Sequence, residues 1–338
     1  MIIVIKPEVT LDQIGAIRDR IKGLGLDLQV IQAGVRSVIY VLGETGQLDL
    51  SNFQALEGVE RVIPIARPFK LVSRDFKPLD TIVKVGDIQI GKGTFCIMAG
   101  PCAVESYEQA LKTARFVKGL GIHIFRAGVF KPRTSPYSFQ GLGEEGLHIL
   151  KIVKEEAGLL IVTEVVSERD IDLVSGVADI LQIGARNMQN YPLLKEVSRT
   201  QKPILLKRGL MANIEELLLS AEYIMKKGND KVIMCERGIR TFEKYTRNTL
   251  DLSAVPVIHR LSHLPVIVDP SHACGVKQYV APLAKAAVAC GADGLLIEVH
   301  PEPSTALCDG QESLNLDEFA QLVQDIKRLL DVIGYRME

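Results

Sequence analysis

Eight short apolar runs in the later part of the chain stop at residues that can do chemistry. They are FCIMAG from 95, IHIFRA from 122, LLIVTEV from 159, ILQIGA from 180, PILLKRG from 203, KVIMCE from 231, PVIVDPS from 265 and GLLIEVH from 294. The first ends beside Cys102, the second at Arg126, the third at Glu164 and the fourth at Arg186. The fifth ends at Lys207 and Arg208, the sixth at Glu236 and Arg237, the seventh at Asp269 to His272, and the eighth at Glu298 and His300. One polar residue at a strand end only marks where the chain meets water. Eight in succession point to a common site.

Two constellations emerge. Arg126, Lys131, Arg133, Arg186, Lys207, Arg208 and Arg237 would crowd one rim of a chain whose formal net charge is −1. Like charges so close repel unless an anion lies between them, and arginine grips phosphate or carboxylate with two parallel hydrogen bonds. Seven cations imply more than one anionic group, with Arg208 the member most easily explained by pairing with an acid. The second set is Cys102, His272, Glu298 and the loop residue Asp309, with Cys274 and His300 as rivals. A thiolate, an imidazole and carboxylates suit one divalent Mn, Fe, Co or Zn ion better than Mg or Ca. No close Cys or His spacing supports this set, and taken singly Cys102 reads as a buried core thiol and His272 as a hydrogen-bonded turn residue.

The elements must bring these residues together. Near-continuous apolar strands alternating with helical stretches mean a parallel sheet covered by helices. Eight such units over residues 93–338 fit a (β/α)8 barrel, whose strand ends converge on one mouth. An open doubly wound sheet would carry a glycine-rich phosphate turn after its first strand, and AGPC at 99–102 is not one. Ser106 with Gln109, Ser167 with Asp170, and Asn315 with Glu318 predict capping boxes, and Gly334 predicts the stop of the last helix. Residues 1–66 have the order βαββαβ of a small ferredoxin-like α+β domain, with Leu11, Ile14, Ile17 and Ile21 on one helical face. Residues 67–92 read as a connector with a hairpin, TIVKVG and IQIG, closing the barrel base.

The 338 residues are 47% apolar and 24% charged, an ordinary globular composition. The near-zero net charge gives no footprint for nucleic acid or a membrane surface, and no apolar run approaches a membrane span of about 20 residues. The start MIIVIKPEV is not read as a signal peptide. Six scattered cysteines fit reduced thiols and a cytoplasmic protein.

The longer motifs carry a resemblance. GPCAVES, FRAGVFKPRTSPYSFQGLGEEG, QIGARNMQN, LLKRG, CERGIRTFEKYTRNTLD, VDPSHACG and EVHPEPSTALCDG are similar to 3-deoxy-D-arabino-heptulosonate 7-phosphate (DAHP) synthase, in the type I beta form with an N-terminal ferredoxin-like regulatory domain. The resemblance spans essentially the whole chain. It implies metal-dependent condensation of phosphoenolpyruvate with erythrose 4-phosphate, the first step of the shikimate pathway to aromatic amino acids. It implies Cys102, His272, Glu298 and Asp309 as metal ligands, which favours Asp309 over its rivals. Phosphoenolpyruvate would be held by Arg126, Lys131, Glu164, Ala185, Arg186, Lys207 and Arg237, and the aldose phosphate by Lys131, Pro132, Arg133, Thr134 and Ser135. Lys131, Glu164 and His272 would be the catalytic residues. A homotetramer and feedback inhibition by tyrosine or phenylalanine are implied too, with Gln29, Gln32 and Ser37 as candidate effector contacts. Cys274 and Cys308 depart from the expected pattern and would put spare thiols near the metal.

Overall fold

The computed structural model describes residues 1–33, 36–43, 45, 48–64 and 67–338, in two compact units, Met1–Lys70 and Leu71–Glu338. The side chain of Gln32 lies outside the described set.

In the first unit, strands β1 (Ile2–Ile5), β2 (Asp27–Ala33), β3 (Arg36–Leu42) and β4 (Val59–Ile63) form an antiparallel sheet in the order β2-β3-β1-β4. Helices α1 (Leu11–Gly23) and α2 (Ser51–Gln54) complete the βαββαβ order of a ferredoxin-like domain. Thr10 caps α1: its hydroxyl accepts from Gln13 N while the Gln13 side chain accepts from Thr10 N, which satisfies two otherwise orphaned donors. Ile17 and Ile21 bury against Ile3, Ile5, Ile39 and Phe53. Leu11, expected on that face, is 86% exposed. It lies six residues before Ile17, about 120° around the helix, so it turns off the stripe.

In the second unit, β5 (Val83–Val85) and β6 (Ile88–Ile90) form a hairpin. Eight parallel strands follow: β7 (Thr94–Gly100), β8 (Ile124–Arg126), β9 (Leu160–Glu164), β10 (Ile180–Ile183), β11 (Ile204–Lys207), β12 (Val232–Glu236), β13 (Val266–Val268) and β14 (Gly294–Glu298). Each pairs with the next, and β14 pairs with β7 from Gly294↔Cys96 to Glu298↔Gly100, which closes the barrel. The helices between them are α3 (Tyr107–Gly119), α4 (Glu144–Ala157), α5 (Ile171–Ser175), α6 (Tyr191–Val197), α7 (Ile214–Met225), α8 (Ala254–Leu261), α9 (Pro270–Cys274) and α10 (Lys277–Ala289). The last helix, α11 (Leu316–Ile333), precedes a short β15 (Arg336–Met337) beside the start of β7.

Strands buried on both faces explain the unbroken apolar runs: every residue of β7, β12 and β14 is buried. Val83, Val85, Ile88 and Ile90 of the hairpin join Met98, Ile124, Ile180, Leu205, Ile233 and Ile267 in one cluster, against Leu160, the first residue of β9. The hairpin therefore plugs the end of the barrel at which the strands begin.

The caps differ in part from expectation. Asn315 and Glu318 form the full capping box, and Gly334 ends α11 in the left-handed region. Ser106 accepts from Gln109 N, but the Gln109 side chain meets Glu105 N and Ala103 O instead of closing the box. Ser167 accepts from Arg169 N at the head of a single 3-10 turn, so a partner three residues on is out of register. Among the described residues no helix is long and apolar enough to cross a membrane.

Candidate active site and metal centre

The strand ends lead into a cavity of about 440 Å³. Its wall includes Arg126, Lys131, Glu164, Ala185, Arg186, Lys207 and Arg237, together with Pro132, Arg133, Thr134 and Ser135, and also His272 and Asp309. Cys102 and Glu298 lie buried beside them. The structure thus brings to one place the side chains that the resemblance assigns to the metal, to phosphoenolpyruvate and to the aldose phosphate, while Arg208, Cys274 and His300 stay outside.

The metal set is tight. One donor atom from each of Cys102, His272, Glu298 and Asp309 lies within 4.8 Å of all the others. Cys102 Sγ is 3.1 Å from Asp309 Oδ2, and His272 Nε2 is 3.2 Å from Glu298 Oε1. Each is placed by its backbone. Gly100, at φ 153°, lets β7 turn toward Cys102: a Cβ there would strike the Arg126 carbonyl and come within 2.9 Å of the Phe125 ring. Asp269 caps α9, accepting from His272 N at 3.0 Å, and its other oxygen lies 2.7 Å from His272 Nδ1. With Nδ1 so engaged, Nε2 faces the quartet. The Ser271 hydroxyl accepts from Glu298 N at 3.1 Å. Asp309 comes from a loop and adopts φ 52°, a left-handed conformation uncommon outside glycine.

The charge pattern fits a divalent ion. Glu298 Oε2 is buried without a hydrogen-bond partner among the described residues, a costly state unless something positive meets it. Burial, the neighbouring Cys308 thiol and the Glu298 carboxylate push the Cys102 thiol well above its ordinary pKa. A bound cation reverses that, because a coordinating thiol is deprotonated. Asp309 resists its burial and stays below the usual carboxylate range, beside His272 and Cys102. Cys308 Sγ lies 3.0 Å from Cys102 Sγ and accepts from Arg133 Nη1. Cys274 is not in this group: its thiol faces the Ser271 and Val276 carbonyls.

The cations divide into braced and free. Arg126 Nη1 donates to Glu298 Oε1 at 2.8 Å and to Pro101 O at 3.0 Å. Lys207 Nζ donates to Asp269 Oδ2 at 2.5 Å, and Lys131 Nζ to Cys102 O at 3.0 Å. Burial opposes the charges of Arg126 and Lys131, yet the neighbouring Glu298 and Cys102 hold both above their ordinary ranges. Arg237 is pushed down by burial; among the described residues its Nη2 meets only the His272 carbonyl, and its Nε has no partner. Among the described residues Arg186 reaches only Thr134 Oγ1, at 3.5 Å. Arg208 does not join the wall. It is buried in ion pairs with Glu236 and Asp251, both at 2.8 Å. His300 also stays out of the metal set.

Glu164 is held from two sides. Gln182 Nε2 donates to its Oε2 at 3.0 Å, and Gly184 leaves the space that its carboxylate fills, since a Cβ there would collide with it. Gln182, Arg240, Arg247 and Asn248 also line the cavity and were not among the expected residues. Arg240 and Arg247 sit inside CERGIRTFEKYTRNTLD, a motif whose first cation, Arg237, marks the strand end.

Comparisons with known proteins show the family. The model of the DAHP synthetase I family matches residues 73–332, and that of the DAHP synthase ferredoxin-like domain matches residues 1–67. The chain belongs to the DAHP synthetase I family. It is 50% identical over 337 residues to the phospho-2-dehydro-3-deoxyheptonate aldolase of Thermotoga maritima, covering 100% of both chains. A crystal structure of that Thermotoga maritima protein superimposes with a TM-score of 0.81 at 49% identity, over 100% of this chain and 99% of that one. The 2-dehydro-3-deoxyphosphooctonate aldolase of Syntrophobacter fumaroxidans is 34% identical over 72% of this chain and 88% of its own.

Proposed function

We propose that this chain is a DAHP synthase, condensing phosphoenolpyruvate with erythrose 4-phosphate and water to give DAHP and phosphate at the entry to the shikimate pathway. The observation that carries the reading is one cavity lined by eight Lys or Arg side chains and only two acids, Glu164 and Asp309, directly over the Cys-His-Glu-Asp quartet. Two phosphates and a carboxylate match that excess of positive charge.

Arg126, Lys131, Glu164, Ala185, Arg186, Lys207 and Arg237 would hold phosphoenolpyruvate, and the Lys131–Ser135 stretch the aldose phosphate. Cys102, His272, Glu298 and Asp309 would hold one divalent ion (Mn, Fe, Co or Zn), which supplies Lewis-acid polarisation of the aldehyde carbonyl. The enol C3 forms the new bond to that carbonyl carbon as positive charge develops at C2. Lys131, kept as an ammonium, lies within reach of both substrates and protonates the new alkoxide. Glu164, fixed by Gln182 and Gly184, orients the water that adds at C2. Phosphate then leaves by C–O cleavage.

A second reading is an octulosonate activity like that in the name of the Syntrophobacter relative, in which a five-carbon phosphosugar replaces erythrose 4-phosphate. The full-length match to a heptonate enzyme favours the first reading. We also infer that residues 1–66 bind tyrosine or phenylalanine and inhibit the barrel, in a cytoplasmic homotetramer. Turnover of the full chain, and of one beginning at residue 67, decides these points with each phosphosugar, with and without millimolar tyrosine or phenylalanine. Erythrose 4-phosphate should be the better substrate, and inhibition should vanish with residues 1–66. Preference for the five-carbon sugar would overturn the first reading, and inhibition of the shortened chain would overturn the second inference.

A further inference from the structure

We propose that Glu105 is a positioning residue for the metal centre, acting through the loop that carries Asp309. Three of the four ligands come from strand ends or the short helix beyond one, and the barrel holds them. Asp309 comes from the stretch between His300 and Leu314. Its base is closed by His300 N donating to Leu314 O and Leu314 N donating to Glu298 O, both at 2.9 Å. Nothing in that base closure fixes the crest, where Cys308 and Asp309 sit.

Beside the contacts of Arg133 with Cys308 and of Arg247 Nη2 with Asp309 Oδ1 at 3.7 Å, Glu105, three residues beyond Cys102, ties the crest to the barrel. Its Oε1 accepts from Leu307 N at 2.8 Å, immediately before Cys308, and its Oε2 lies 3.3 Å from His300 Nε2. His300 is set to donate there. Its Nδ1 accepts from Glu302 N at 3.0 Å, and a backbone N–H can only donate, so the ring proton sits on Nε2. His300 is 3% exposed, and the Glu105 side chain is 12% exposed. One carboxylate thus pegs both the base and the crest of the loop to the segment that follows β7, the segment that also carries Cys102. Its neighbour Asp309 is held at φ 52°, a conformation that persists only where the surroundings enforce it. The peg therefore brings Asp309 Oδ2 to Cys102 Sγ at 3.1 Å. His300 serves the metal as the partner of this peg, not as a ligand.

The inference rests on the quartet being the metal site, and the test separates the two. Mn²⁺ affinity is measured by the electron-paramagnetic-resonance signal of free ion during titration of metal-stripped wild type, Glu105→Ala, Asp309→Ala and the double variant. Circular dichroism checks that each barrel is folded. Glu105→Ala should weaken Mn²⁺ binding by about 10- to 100-fold, the range found when the support of a ligand is lost. Turnover should recover at high Mn²⁺. In the Asp309→Ala background, Glu105→Ala should cost almost nothing more, because the residue it positions is gone. Glu105→Gln keeps an acceptor for Leu307 N and should lie between wild type and Glu105→Ala. An unchanged Mn²⁺ affinity in Glu105→Ala overturns the proposal, as does a full further loss in the Asp309→Ala background. Wild type that binds no Mn²⁺ would overturn the metal reading itself.

Discussion

The two ends of the barrel treat charge differently. At the base, polar groups are mostly matched. Lys154 pairs with Asp179, Arg74 with Asp80 and with the Pro78 and His259 carbonyls, and His259 with Asp293. Asp293 Oδ1 is the exception there among the described residues. At the mouth the matching fails in a patterned way. Glu298 Oε2 and Arg237 Nε are buried without partners, and Arg186 meets no acid among the described residues. Buried polar groups without partners cost stability, so a fold keeps them only where something else completes them. The mouth is arranged for ligands, and the base is arranged for the barrel itself.

The largest effects should follow from breaking the mouth at its metal centre. Cys102→Ala and His272→Ala should each abolish turnover while circular dichroism and thermal unfolding stay near wild type, since the apolar layers of the barrel are untouched. Chelator should inactivate the wild type, and Mn²⁺ or Co²⁺ should restore it. Full activity in excess chelator would remove the metal from the mechanism.

A smaller effect separates braced from free cations. Arg186→Ala removes a charge-assisted contact worth about 1.5–3 kcal/mol, so the KM for phosphoenolpyruvate should rise by roughly 10- to 100-fold, with thermal stability unchanged. Arg126→Ala should do this and also lower stability, because it strands the buried Glu298 carboxylate. Arg133→Ala should raise the KM for erythrose 4-phosphate instead. Equal responses of both substrates to Arg186→Ala and Arg133→Ala would show that the groove is not divided between the two substrates.

Much of this site is legible in the sequence because the barrel converts strand ends into a ring. Arg126, Glu164, Lys207, Arg237 and Glu298 each stand at the end of an apolar run, and that position alone aims them at the mouth. Arg208 shows the limit of the rule. Neighbours on a strand point to opposite faces, so with Lys207 turned inward Arg208 turns away, and Glu236 and Asp251 await it there. Sign of charge does not reveal that. Asp309, Arg240 and Arg247 lie in loops with no periodicity to orient them, and Asp309 depends on a left-handed backbone that no residue pattern announces. Leu11 fails for a simpler reason, since six residues before Ile17 it lies about 120° around α1 and so off the buried stripe.

The base offers a test with the smallest kinetic effect. His263, 2% exposed, joins the segment before the hairpin to the barrel: its Nδ1 lies 2.7 Å from Thr81 Oγ1 and its Nε2 2.8 Å from Leu71 O. The Leu71 carbonyl only accepts, so Nε2 carries the proton and a neutral ring satisfies both partners. Burial pushes His263 down to about 4; the Leu71 carbonyl opposes this, while Lys77 and Arg74 add to it. The unfolded chain, with an ordinary histidine, takes up this proton near pH 6.5. Between those values the unfolded state binds more protons, so stability rises with pH. The contribution is complete above about pH 6.5 and is lost as the pH falls toward 4, and it amounts to about 3 kcal/mol at most. His263→Leu should therefore flatten the fall of the urea midpoint between pH 7 and pH 4 relative to wild type. At pH 7 it should leave the KM for both substrates unchanged, because both ring nitrogens of this histidine are engaged at the base, by Thr81 and Leu71. Parallel midpoint profiles for the two proteins would clear His263 of the acid sensitivity. A shifted KM would mean that the base is coupled to the mouth after all.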